Sequence, residues 1–213
     1  MHVAILTFDA FNEIDSLVAY HLLNRVKRHD WRVSIAAPAQ AVQSMNGLMI
    51  HAQSSLSMAN NADAVIFGSG RRTAEIVKDE ALMERIKLDP TRQLIGSQCS
   101  GALLLAKLGL LNGIPACTDL TTKPWILEAG IEVLNRPFYA RGNVATAGGC
   151  LASQYLAAWI IARLIGVETA REVIAYVAPV GEKDAYVERA MSAIGDFLPA
   201  SPMLASQQPT VNS

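Results

Sequence analysis

The sequence predicts an α/β protein: a mostly parallel central sheet with helices on both faces. Three observations carry that prediction. Strand-like and helix-like segments alternate along most of the chain, with Gly, Pro and Asp at many of the breaks. The strand-like runs, such as residues 3–8 and 63–67, are apolar nearly throughout, as strands buried on both faces must be. Residues 93–98 then run through Cys99 into a helix-like stretch with almost no room for a turn, the layout of a nucleophile elbow.

Element by element, residues 3–8 predict the first strand. Residues 15–28 predict a helix with Leu17, Tyr20, Leu22 and Leu23 near one face. A second strand over 31–37 closes at Pro38. Residues 48–50 followed by 54–58 suggest a short antiparallel excursion. The buried strand 63–67 stops at Gly68-Ser69-Gly70, and a helix over 73–88 ends at Asp89-Pro90. The strand and helix around Cys99 are broken by Gly109 and Gly113, and 115–118 predicts a short strand. Lys123-Pro124 opens a helix through Ala129, with Gly130 as its C-cap. Residues 138–141 and 143–146 form a hairpin-like pair about Gly142. Gly148-Gly149 opens an apolar helix over 151–165, and a last helix covers 184–197. Past Pro199 the composition turns polar, so 1–197 is expected as one domain and 198–213 as a polar tail.

Composition narrows the function classes. Of 213 residues, 51% are hydrophobic and 17% charged, which fits a chain with a sizeable core and excludes a disordered tail or a coiled coil. Net charge is −1 and the basic pairs Lys27-Arg28 and Arg71-Arg72 stand alone, which argues against a nucleic-acid partner. No apolar run reaches the roughly 18 residues needed to cross a bilayer, and the start reads as a buried strand rather than a signal peptide. Cys99, Cys117 and Cys150 form neither a disulfide framework nor a metal pattern, so a reducing, cytoplasmic setting without metal or cofactor is expected. The positive mean hydropathy leaves room for an oligomer interface.

In a sheet of this kind ligands gather beyond the C-terminal strand ends, here after Phe8, Phe67, Gln98 and Thr118. Glu13 and Asp15 lie two apart, so an extended chain puts both carboxylates on one side; Asp15 can equally cap the next helix. Gly68-Ser69-Gly70 can present backbone N–H groups to an oxyanion or form only a tight turn. Cys99 faces the free N–H groups of a helix start, which favours thiolate, although a buried inert cysteine has the same sequence appearance. Ser100 can touch substrate or satisfy backbone, and Asp119 can orient water or cap a local turn. His2, His21, His29 and His51 all fall away from these strand ends, so a cysteine–histidine pair is poorly supported. Cys117 reads as core; Cys150, at a helix start, reads as packing or as the border of the same site.

These residues also carry a resemblance. The stretch from Thr7-Phe8 through Asn12-Glu13-Ile14-Asp15, the Gly68-Ser69-Gly70 loop, residues 99–106 with 109–113, and the later stretch 142–149 resemble the DJ-1/PfpI superfamily, most of all its isonitrile hydratase-like branch. The resemblance implies a flavodoxin-like three-layer sandwich and a homodimer. It implies Cys99 as nucleophile and Asp15 as the acid that contacts and protonates at the elbow. Gly68 and Ser69 N–H groups match the oxyanion site, and Ser100 stands where the hydratase has threonine. Asp119 departs from the branch, which usually has histidine there. The implied activity is addition of water to a small electrophile, turning an isonitrile into an N-substituted formamide through a thioimidate. The alternatives are a redox protein with an oxidisable Cys99, or a glyoxalase- or amidase-like enzyme, whose histidine is missing here.

Overall fold

A computed structural model describes residues 1–199, and the expected polar tail lies, from residue 200, outside the described residues. Seven strands make the central sheet: β1 (His2–Leu6), β2 (Arg32–Ala37), β5 (Ser54–Ser55), β6 (Ala64–Phe67), β7 (Leu94–Gln98), β8 (Phe138–Arg141) and β9 (Val144–Ala147). Their order is β5-β2-β1-β6-β7-β9-β8, and only β8 runs antiparallel to its neighbour. The mostly parallel sheet expected from the alternation is therefore present.

Because side chains alternate across a strand, one apolar run feeds two cores. Val3, Ile5 and Ile66 pack with α1 (Glu13–Leu23), α7 (Ser153–Leu164), α8 (Val167–Val177) and α9 (Lys183–Ile194) on one face. Ala4, Leu6, Val65 and Phe67 pack on the other against α2 (Leu56–Ala59), α4 (Glu80–Met83), α5 (Gly101–Lys107) and α6 (Lys123–Glu128). Between β7 and α7 the contact is close: a Cβ on Gly96 would sit 2.5 Å from a Leu156 methyl.

Four local expectations are corrected. The segment 73–88 splits into α3 (Thr73–Ile76) and α4, because Asp79 leaves helical geometry and accepts the Leu82 N–H at 3.0 Å as a new N-cap. Residues 115–118 contribute only a bridge from Ala116 to Val133, since β9 fills the place beside β7. In the excursion, β4 (Met49–His51) pairs antiparallel with β3 (Ala41–Gln43), while Ser54–Ser55 joins the main sheet in parallel. The amphipathic helix Val167–Val177 was not among the expected elements; it buries Ala170, Val173 and Ile174.

Register sets up the site. Leu6 pairs with Phe67, Phe67 with Ser97, and Ser97 with Thr146, so these four residues form one row near the C-terminal edge. The segments leaving that row, 7–12, 68–70, 99–100 and 148–150, converge there.

Candidate active site

Cys99 leaves β7 in a left-handed conformation, with φ +45°, a strain of about 1–2 kcal/mol for a residue with a Cβ. Neighbours on two sides hold it there. Its N–H donates to Ala147 O at 2.8 Å, and its carbonyl accepts from Thr118 Oγ1 at 2.9 Å. The next helix starts at Gly101, where a Cβ would lie 2.6 Å from the Phe67 carbonyl. That close approach brings the 68–70 loop beside the elbow.

Asp15 meets the thiol from the first turn of α1. The cap of this helix is Asn12, whose side chain accepts the Ile14 N–H at 3.1 Å, so Asp15 is released from the capping role. The Asp15 side chain is wholly buried; Oδ2 accepts the Ser69 hydroxyl, and Oδ1 has no hydrogen-bond partner. Cys150 completes the group from a single 3₁₀ turn, Cys150–Ala152, at the start of α7. Asn12 Nδ2 donates to its sulfur at 3.3 Å. An Asp15 carboxylate oxygen and the sulfurs of Cys99 and Cys150 all lie within 4.8 Å of one another. Two sulfurs and one oxygen form a donor set that suits a thiophilic divalent ion.

The electrostatics follow from burial. Desolvation pushes the Asp15 carboxyl above its ordinary range, only partly offset by the hydrogen bond from Ser69. Desolvation likewise pushes the Cys99 thiol far up, and the like charge of Asp15 adds to it. Cys150 is raised for the same two reasons but is more open. Burial thus favours the protonated form of both the acid and the thiol. The helix start does not overcome desolvation at Cys99.

The remaining expected site residues fall into place unevenly. Gly68 cannot offer its N–H to an oxyanion, because that group donates to Leu6 O at 3.0 Å in the sheet. The N–H groups of Ser69 and Ser100 have no acceptor among the described residues, and they flank Cys99 in sequence or across the loop. The Ser100 hydroxyl is committed to the loop: it contacts Thr73 Oγ1 at 2.8 Å and accepts the Gly70 N–H at 3.2 Å. Asp119 accepts from the Thr121 and Thr122 N–H groups, both at 2.9 Å, and from the Thr122 hydroxyl at 2.7 Å. Both its oxygens therefore cap a turn, while its charge still raises Asp15 and Cys99 from a distance. Glu13 turns away to Ser44 and Asn46. No histidine is among the hydrogen-bond partners of Asp15, Cys99 or Cys150.

Sequence reasoning left Cys150 undecided and gave Asn12 and Gln98 no role. Gln98 Nε2 donates to Gly149 O at 2.8 Å and so ties the Cys150 turn to the elbow. The available signal was strand order: β9 lies beside β7, so Gly148-Gly149-Cys150 also follows a C-terminal strand end.

Comparison with known proteins matches the DJ-1/PfpI family model over residues 1–163. The chain belongs to the DJ-1/PfpI family. Among curated members, isonitrile hydratase of Pseudomonas putida is 26% identical over 133 residues, a stretch covering 62% of this chain and 58% of that protein. Among solved DJ-1 structures, a DJ-1 superfamily protein of Salmonella typhimurium, determined as a cysteine-to-alanine mutant, superposes with a TM-score of 0.71 at 25% identity, covering 83% of this chain and 97% of the other. Oxidized DJ-1 of Toxoplasma gondii gives a TM-score of 0.69 at 19% identity, with the same shares of 83% and 97%. The flavodoxin-like fold expected of this family is the fold observed. No helix among the described residues is long and apolar enough to cross a membrane.

Proposed function

We propose that this DJ-1/PfpI protein is a cysteine-dependent hydratase for small electrophiles, with isonitriles as the substrate class. The observation that carries the reading is the buried Asp15–Cys99 pair at the elbow, with no histidine among its partners. Addition to an isonitrile places sulfur and hydrogen on the same terminal carbon. Nucleophile and proton donor must therefore stand side by side, and one acid beside one thiol suffices.

In the first step the Cys99 sulfur bonds to the terminal carbon, and a proton reaches that carbon from the Asp15 carboxyl. Asp15 regains a proton from the thiol, giving the thioimidate RN=CH–S–Cys99. In the second step Asp15 gives its proton to the thioimidate nitrogen and, now a carboxylate, takes one from water as oxygen adds to the same carbon. The C–S bond then breaks, the thiol is reprotonated, and RNH–CHO leaves. The free N–H groups of Ser69 and Ser100 support negative charge developing during the second step. Gly68 and Ser100 shape the pocket walls by backbone and packing, and the Asp119 charge tunes the acid.

The reading places the enzyme in the cytoplasm, where its three free cysteines stay reduced. It acts there as a homodimer. A groove of about 760 Å³ beside the site is lined by the exposed apolar residues Ile14, Leu151, Tyr176 and Val177, a surface suited to a second copy.

A panel of aliphatic and aromatic isonitriles tests the proposal, with formamide followed by mass spectrometry. Turnover is expected in the unaltered enzyme and lost in Cys99→Ala and Asp15→Asn. Absence of turnover on every isonitrile by the folded, reduced protein would overturn it.

A further inference from the structure

We propose that Cys99 and Cys150 form a reversible intramolecular disulfide when a peroxide enters the site. The hydratase reading does not use the Cys150 thiol, yet the structure places its sulfur within 4.8 Å of Cys99 and of an Asp15 oxygen. The third cysteine is separate: Cys117 is fully buried, with its N–H on Thr146 Oγ1 at 2.8 Å. A disulfide needs the sulfurs at about 2.05 Å, so one of them must move. Cys150 is the one placed to do so. It sits in one 3₁₀ turn directly after Gly149, whose φ is +89°. Its sulfur accepts from the Asn12 amide at 3.3 Å, and the residue is only half-buried.

Access follows the same order. Cys150 is half-buried, whereas Cys99 is 4% exposed, so peroxide meets Cys150 first. Its sulfur takes one oxygen from the peroxide to become the sulfenic acid, and one water is released. Cys99 sulfur then bonds to Cys150 sulfur, the S–O bond breaks, and the departing hydroxide takes a proton to leave as a second water. An Asp15 oxygen lies within 4.8 Å of both sulfurs, so Asp15 takes that proton from the Cys99 thiol and passes it on. A dithiol reverses the bond, yielding two thiols and an oxidised dithiol. The disulfide withholds Cys99, so under the hydratase reading it switches the enzyme off; only this consequence rests on that reading.

The full chain is exposed to hydrogen peroxide, quenched with an alkylating agent and peptide-mapped by mass spectrometry. The proposal expects a Cys99–Cys150 cross-linked peptide, with two hydrogens lost and Cys99 no longer alkylatable, all restored by dithiothreitol. Cys117→Ser should leave the cross-link unchanged. In Cys150→Ser, Cys99 should instead gain oxygen atoms. Two added oxygens on Cys99 of the unaltered protein with Cys150 still alkylatable would overturn the proposal. So would a cross-link through Cys117 or between chains, or no change at either cysteine. Because the readout is mass, it decides the matter even if no isonitrile is turned over.

Discussion

Ser69 donates its hydroxyl to Asp15 Oδ2 while Oδ1 has no hydrogen-bond partner, and an oxygen of this carboxyl lies within 4.8 Å of the sulfurs of Cys99 and Cys150. One oxygen of the carboxyl is thereby fixed and the other is kept available, an arrangement suited to moving a proton rather than to holding a helix together.

Replacing Asp15 by Asn keeps the shape and removes the charge. The like charge that adds to the high Cys99 pKa disappears, so that pKa falls. Alkylation of Cys99 by iodoacetamide at pH 8 should become several-fold faster in Asp15→Asn, while isonitrile hydration drops by the roughly 10²–10⁴-fold that a general acid supplies. Rates of both reactions, measured on the same preparations, check the opposite signs.

The same substitution should change the pH dependence of stability. The folded-state pKa of Asp15 is raised by burial, so between its ordinary value near 4 and that raised value the folded state binds the extra proton. Stability from this group is present at low pH and lost as pH rises through the window. Asp15→Asn should therefore melt higher than the unaltered protein at pH 7.5. The difference should shrink towards pH 4. Thermal melts across that range measure it.

Strain at the elbow predicts a stability–function conflict. Cys99 has φ +45°, which glycine adopts freely and alanine does not. Both Cys99→Gly and Cys99→Ala should be inactive, with the glycine variant more stable than the alanine variant by about 1 kcal/mol. Guanidinium unfolding of the two variants compares them directly.

Gly101 sets how closely α5 approaches β6. A Cβ there would stand 2.6 Å from the Phe67 carbonyl and 3.0 Å from that of Gly68, both backbone atoms that cannot swing aside. Gly101→Ala should cost about 1–3 kcal/mol and displace the Ser69 loop, with a fall in hydration that exceeds the loss of folded protein. Melting temperature and turnover per folded molecule separate these effects.

Much of this was legible in the sequence. Runs such as Val3–Leu6 and Ala64–Phe67 are buried on both faces, and that leaves a continuous apolar signature. The elbow was legible because β7 and α5 leave no space for a loop between them. What escaped depends on tertiary context. Asn12 takes the cap that Asp15 could have filled, a choice settled only by how α1 enters the sheet edge. Gly68 N–H is lost to the ladder because the parallel Leu6–Phe67 pairing sends the N–H of the following residue to Leu6 O. Helix α8 starts after Gly166 without a side-chain cap, so its 170, 173, 174 spacing lacked a start signal. Cys150 joins the site only because β9 lies next to β7, a neighbour relation the chain order does not state.

The most direct measurement is the mass of the protein quenched within its first turnover of an isonitrile, followed by peptide mapping. The account predicts one whole isonitrile added on Cys99 and on no other residue, decaying as formamide forms. Formamide production with Cys99 unmodified throughout, or an adduct on Cys150 with turnover intact in Cys99→Ala, would contradict it.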